Sequence, residues 1–166
     1  MAFSSQASAQ TCANATVTQF AGDGHAGTVD DAGTSARIAY PKALTVDGAG
    51  NLYVVSGFGQ AVSSVIRKIT PAGLVTTLAG DPNAPPGLVD GQGAKARFSS
   101  SASGIAADAV GNLYVADDTA IRKVTAAGNV TTLAGTTAIA DVDGPASTAR
   151  FSDLTSIALG LAGSII

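Results

Sequence analysis

Residues 111–135 read GNLYVADDTAIRKVTAAGNVTTLAG, and the stretch recurs upstream with small changes. GNLYVV at 50–55 matches GNLYVA at 111–116, and VIRKITPAG at 65–73 matches AIRKVTAAG at 120–128. VTQFAG at 17–22 matches VTTLAG at 75–80 and again at 130–135, so Val17, Val75 and Val130 stand 58 and 55 positions apart. A further block, VDDAGTSARI at 29–38, returns as VDGQGAKARF at 89–98 and VDGPASTARF at 142–151. In each copy an Asp stands seven places before an Arg: Asp30 and Arg37, Asp90 and Arg97, Asp143 and Arg150. Blocks that return in constant order at such a period mark a chain built from one repeated supersecondary unit.

Each period holds four short apolar runs. In the second copy they are GIAAD at 104–108, NLYVAD at 112–117, AIRKVT at 120–125 and NVTTLAG at 129–135. Each is of strand length and too short for a helix. The β-branched, aromatic and aliphatic residues in them suit a pleated surface. The connections Ala109-Val110-Gly111, Asp118-Thr119 and Ala126-Ala127-Gly128 are turn-like. One period therefore reads as a four-stranded antiparallel meander. In NLYVA, Leu113 and Val115 point one way and Tyr114 and Ala116 the other, so the sheet is apolar on both faces. Such sheets must be covered on both sides, and stacking them face to face around an axis makes a propeller.

The string GNLYVAD…IRKVT…VTTLAG resembles the NHL repeat of bacterial secreted and surface proteins, over roughly residues 15–166. The resemblance implies a β-propeller, often six-bladed, with the VTTLAG strand outermost in each blade. It also implies a module that binds proteins, RNA or small ligands, a few relatives being enzymes. The fold class expected is all-β, a partial, open propeller of about two full blades plus partial ones. Blade 1 is placed at about 43–80 and blade 2 at about 104–135. A partial blade falls at 156–166 and a leading outer strand at 15–21. Neighbouring repeats stabilise one another, so bare apolar ends predict either a piece of a longer protein or copies that close a ring, with self-association in isolation.

Composition agrees with a turn-rich β chain. The 166 residues hold 9 Lys+Arg against 12 acids, a net charge of −3, and every acid is Asp. Asp favours turns and Glu favours helices. A mildly acidic chain lacks the electrostatic footprint of a nucleic-acid or anionic-membrane binder, and no apolar run is long enough to span a membrane. Residues 1–14 are small and polar and read as a disordered tail. Ala7-Ser8-Ala9 has the form of a signal cleavage site, but neither a basic nor an apolar region precedes it. Cys12 is the single cysteine and has no internal disulfide partner. The triplets at 14–16 and 129–131 that fit a glycosylation pattern read as chance.

Catalytic chemistry is sparse. The single His, His25, sits in the Gly-rich connection GDGHAG and reads as solvated. A zinc or general-base site needs convergent His or carboxylates. The repeated Asp–Arg pairs read as loop supports, Asp capping each loop and Arg bridging back to it or to loop carbonyls. Arg67-Lys68 and Arg122-Lys123 read as outer, solvated positions whose stems cover apolar surface. A calcium site on Asp47, Asp108, Asp117 and Asp118 falls short of the required oxygen ligands. The expectation is a non-catalytic propeller module that binds a protein or small ligand, outside the cytoplasm, with no cofactor. The alternative is a fragment of a propeller enzyme of the metal-dependent lactonase or lyase class, with its catalytic residues outside this chain.

Overall fold

The computed structural model describes residues 17–57, 59, 61–160 and 163–166. The tail at 1–14, Cys12 and the start of the leading strand lie outside the described residues. The apolar runs fold as the period-two pattern requires, into β2 (Pro41–Val46), β3 (Leu52–Ser56), β4 (Val65–Ile69) and β5 (Leu74–Ala79) in the first repeat. In the second they form β7 (Gly104–Ala107), β8 (Leu113–Asp117), β9 (Ala120–Val124) and β10 (Asn129–Gly135). Each meander gains a fifth strand that the sequence did not announce. β1 (Asp31–Ala32) pairs with the outer edge of β5, and β6 (Gly91–Gln92) with that of β10. The sheet orders are β1-β5-β4-β3-β2 and β6-β10-β9-β8-β7, antiparallel throughout. The fold is all-β, a partial, propeller-like array.

Two-residue strands are too short to show a pattern in sequence. They form because each crossing loop, on its way from one blade to the next, is tied to the blade it will join. Gly33 N–H donates to the Gly73 carbonyl and Gly93 N–H to the Gly128 carbonyl. Both of those acceptors lie in the turn before the outermost meander strand. The bonded glycines open short 3-10 turns, Gly33–Ser35 and Gly93–Lys95, with φ of +52° and +54°. Only glycine takes that backbone without strain.

The faces pack as the alternation demands. Tyr53 and Val55 of β3 join Leu113 and Val115 of β8 in one buried cluster that also holds Ile66, Phe98, Val124 and Val130. This is the shared core between the two sheets. On the other side of the first sheet, Val54, Ile69 and Val75 pack with Ala36 and Ile38 of the crossing loop. Ala96 and Phe98 repeat that contact in the second blade. Burying a Phe-sized side chain contributes roughly 1.5–3 kcal/mol.

Residues 17–20 carry no strand pairing among the described residues, although Gly22 N–H donates to Gly33 O. At the other end Leu159 bridges Ile165, in the register that joins Ala107 to Leu113. This small hairpin repeats the first two strands of a blade.

Candidate functional site

Strand alternation decides where the third-strand arginines go. Arg67 shares its face with Val65 and Ile69, and Arg122 shares its face with Ala120 and Val124. Both faces are apolar and covered. Arg67 and Arg122 are accordingly 0% exposed, which corrects the expectation that they are outer and solvated. A buried guanidinium must find acceptors, and the crossing loop supplies them. Arg67 Nη2 donates to Asp30 Oδ1 at 2.7 Å and to Val29 O at 3.0 Å, and its Nη1 to Arg37 O at 2.8 Å. Arg122 Nη2 donates to Asp90 Oδ1 at 2.9 Å, and its Nη1 to Arg97 O at 3.2 Å. Each Asp is shared with the outer strand: Asp30 accepts from Thr77 N and Oγ1, Asp90 from Thr132 N and Oγ1.

The Asp–Arg pairs of the seven-residue spacing are thus not paired with each other. Asp30 and Asp90 hold third-strand arginines far along the chain. Arg37 binds Asp23 at 2.6 Å instead. Arg97 donates to the carbonyls of Ala94 and Ala96, and Arg150 to those of Thr148 and Ala149. Asp143 has no hydrogen-bond or ion-pair partner among the described residues.

The two guanidiniums differ in one respect. Arg122 has a second carboxylate, Asp117, at 2.9 Å, and both side chains are fully buried. Asp117 Oδ1 also accepts from Ser99 N. In the first blade Ser56 stands at that position, and its buried hydroxyl finds no partner among the described residues. Arg122 also lies over the Phe98 ring, 5.5 Å from its centre. Burial pushes the Asp117 carboxyl above its ordinary value, against the pull of Ser99 and Arg122. Burial likewise pulls the Arg67 guanidinium down, against Asp30.

Two further carboxylates of the expected metal set, Asp47 and Asp108, are also occupied. Asp47 accepts from Ala49 N and Asn51 N and from the Asn51 amide and Tyr53 hydroxyl. Asp108 repeats the arrangement with Val110, Asn112 and Tyr114. Among the described residues no three His, Cys, Asp or Glu side chains converge. His25 lies in an open, mainly apolar hollow with Tyr40 and Ile38, its backbone N–H on Asp23.

The mouth between the crossing loops is chemically different. Here Pro86, Leu88, Ser99, Asp118, Thr137 and Ile139 help to line a shallow concavity of about 280 Å³. Asp118 closes the β8–β9 turn at φ +61°, and its backbone carbonyl accepts from Leu154 N at 2.7 Å. Beside it, Lys42 Nζ donates to Ser64 Oγ at 3.3 Å and to the Ser100 carbonyl, joining β2 to the next crossing loop. Burial lowers the pKa of Lys42 and the Asp117 charge opposes that.

The chain matches no protein-family model. No curated protein matches it either. Solved structures of similar fold do. A structural genomics protein of unknown function from Bacteroides thetaiotaomicron is 28% identical, with a TM-score of 0.55, over 65% of this chain and 27% of its own. An auxiliary nutrient binding protein from the same organism is 22% identical at TM-score 0.54, over 69% of this chain and 31% of its own. One from Bacteroides ovatus is 20% identical at TM-score 0.58, over 76% of this chain and 34% of its own. The chain therefore spans about a third or less of the solved proteins it resembles.

Proposed function

We propose that this chain is part of an NHL-type β-propeller that acts outside the cytoplasm as a non-catalytic scaffold for a small ligand or protein. One observation carries the reading. The repeat's buried or turn-capping carboxylates and both buried arginines are engaged with backbone and with one another, as structural ties. The loop mouth is lined by hydroxyls, apolar side chains and the single carboxylate of Asp118, the chemistry of recognition. Two neighbours of like fold are described as auxiliary nutrient binding proteins, which is in keeping with a binding role. Propeller folds host many functions, so the site and not the fold carries the assignment.

The test is a thermal-shift panel on the full chain with soluble mono- and oligosaccharides and short peptides. Thr137→Trp, at an exposed residue of the mouth, serves as the blocking variant. A compound that raises the melting temperature saturably, and loses that effect in Thr137→Trp, supports the reading. Turnover of the bound compound contradicts the non-catalytic assignment, and ligands indifferent to the substitution contradict the site.

A further inference from the structure

The third crossing loop repeats the geometry of the first two where it matters for an arginine. Val142 and Arg150 bond each other at 3.1 and 3.0 Å, as Val89 and Arg97 do at 3.2 and 3.0 Å. Arg150 braces its own loop through two carbonyls, as Arg97 does. In the completed blades that frame presents an Asp carboxylate and the Arg37 or Arg97 carbonyl to a guanidinium. The same Asp also takes the N–H and hydroxyl of an outer-strand Thr. Asp143 and the Arg150 carbonyl offer the same set, and Asp143 is exposed. Beside them, the hairpin bridged at Leu159 and Ile165 provides the inner two strands of a sheet in the blade register.

We infer that Asp143 and the Arg150 carbonyl form a preformed seat for the guanidinium of a β-hairpin of this same repeat. That hairpin carries Arg on its first strand and Val-Thr-Thr on its second, and docks beside residues 163–166. The occupant is fixed by precedent within the molecule: both completed seats hold an Arg from β4 or β9 and a Thr from β5 or β10. A planar, forked donor suits this carboxylate-plus-carbonyl set, and Lys does not reproduce it. The inference concerns assembly of a third blade and stands whether or not the mouth binds a ligand.

The test extends the full chain past Ile166 with a copy of residues 115–135, which continues the β8 register. Stability is read by urea melts, and protection by hydrogen exchange. In the unextended chain, Asp143→Asn leaves the folding equilibrium unchanged. In the extended chain the same substitution lowers the folding constant about tenfold or more, and Arg→Lys at the added copy's third-strand position does likewise. The two changes together cost little more than either alone. Amides of 157–159 and 164–166 also gain protection on extension. An extension that leaves those amides unprotected, or an Asp143→Asn effect equal in the two chains, overturns the inference.

Discussion

At the scale of single residues, a charge in an apolar face is the feature that explains most. Arg67 and Arg122 are buried, and each keeps an Nε without an acceptor among the described residues. Such a group is stable only while its remaining donors are bonded. Asp117→Ala removes the fully buried carboxylate facing Arg122 and should cost about 3 kcal/mol or more, measured by urea denaturation. A loss below about 0.5 kcal/mol would contradict the arrangement. Acid sensitivity follows from the same bonds. Burial raises the Asp90 carboxyl, but the N–H and hydroxyl of Thr132 and the Arg122 charge outweigh it, leaving the group below its ordinary 3.8. Its stabilisation is complete above that value and fades as pH falls through the folded one. Asp117, raised by burial, works in the opposite sense: the folded state holds its proton more tightly, so its share of stability falls as pH rises above 3.8. Asp90→Asn should therefore flatten the acid limb of the stability curve, an outcome read from melts between about pH 5 and pH 2.

The burial of the arginines was legible in principle. Ile-Arg-Lys alternation places Arg67 with Val65 and Ile69, and the residue-by-residue pattern gives that face away. A charge on a strand reads as solvated and outer unless its face is traced. The partners were hidden for a different reason. Asp30 and Arg67 lie 37 residues apart and Asp90 and Arg122 lie 32 apart, while the conspicuous seven-residue spacing links residues that do not touch.

At the scale of elements, the four-stranded meander was readable from the repeat and its turns. The fifth strand was not, because β1 and β6 have two residues each and arise from loop tethering. The same tethering makes the β9–β10 turn intolerant of substitution. Gly128 has φ +83°, and a Cβ there would stand 2.5 Å from the Leu78 carbonyl of the neighbouring blade. Gly128→Ala should destabilise by about 2 kcal/mol or more, through backbone strain and the clash together. Phe98 joins the crossing loop to the shared core beneath Arg122, and Phe98→Ala should cost about 3–5 kcal/mol by the same denaturation assay.

At the scale of the molecule, one apolar face of the first sheet is covered by the second blade, and the other is covered only in part, by its crossing loop. Tyr53 and Val55 meet the second blade, whereas Leu44 and Val46, on the face of Val54, are exposed. Faces of this kind drive association. The full chain should self-associate at micromolar concentration, and Leu44→Lys with Val46→Lys should shift it toward monomer in sedimentation velocity. Native-state hydrogen exchange tests the central claim, that two blades share one core and stand or fall together. Amides of β3, β4, β8 and β9 should exchange through one global opening with the same free energy and the same denaturant dependence. A first blade that opens independently, at markedly lower free energy than the second, would contradict it.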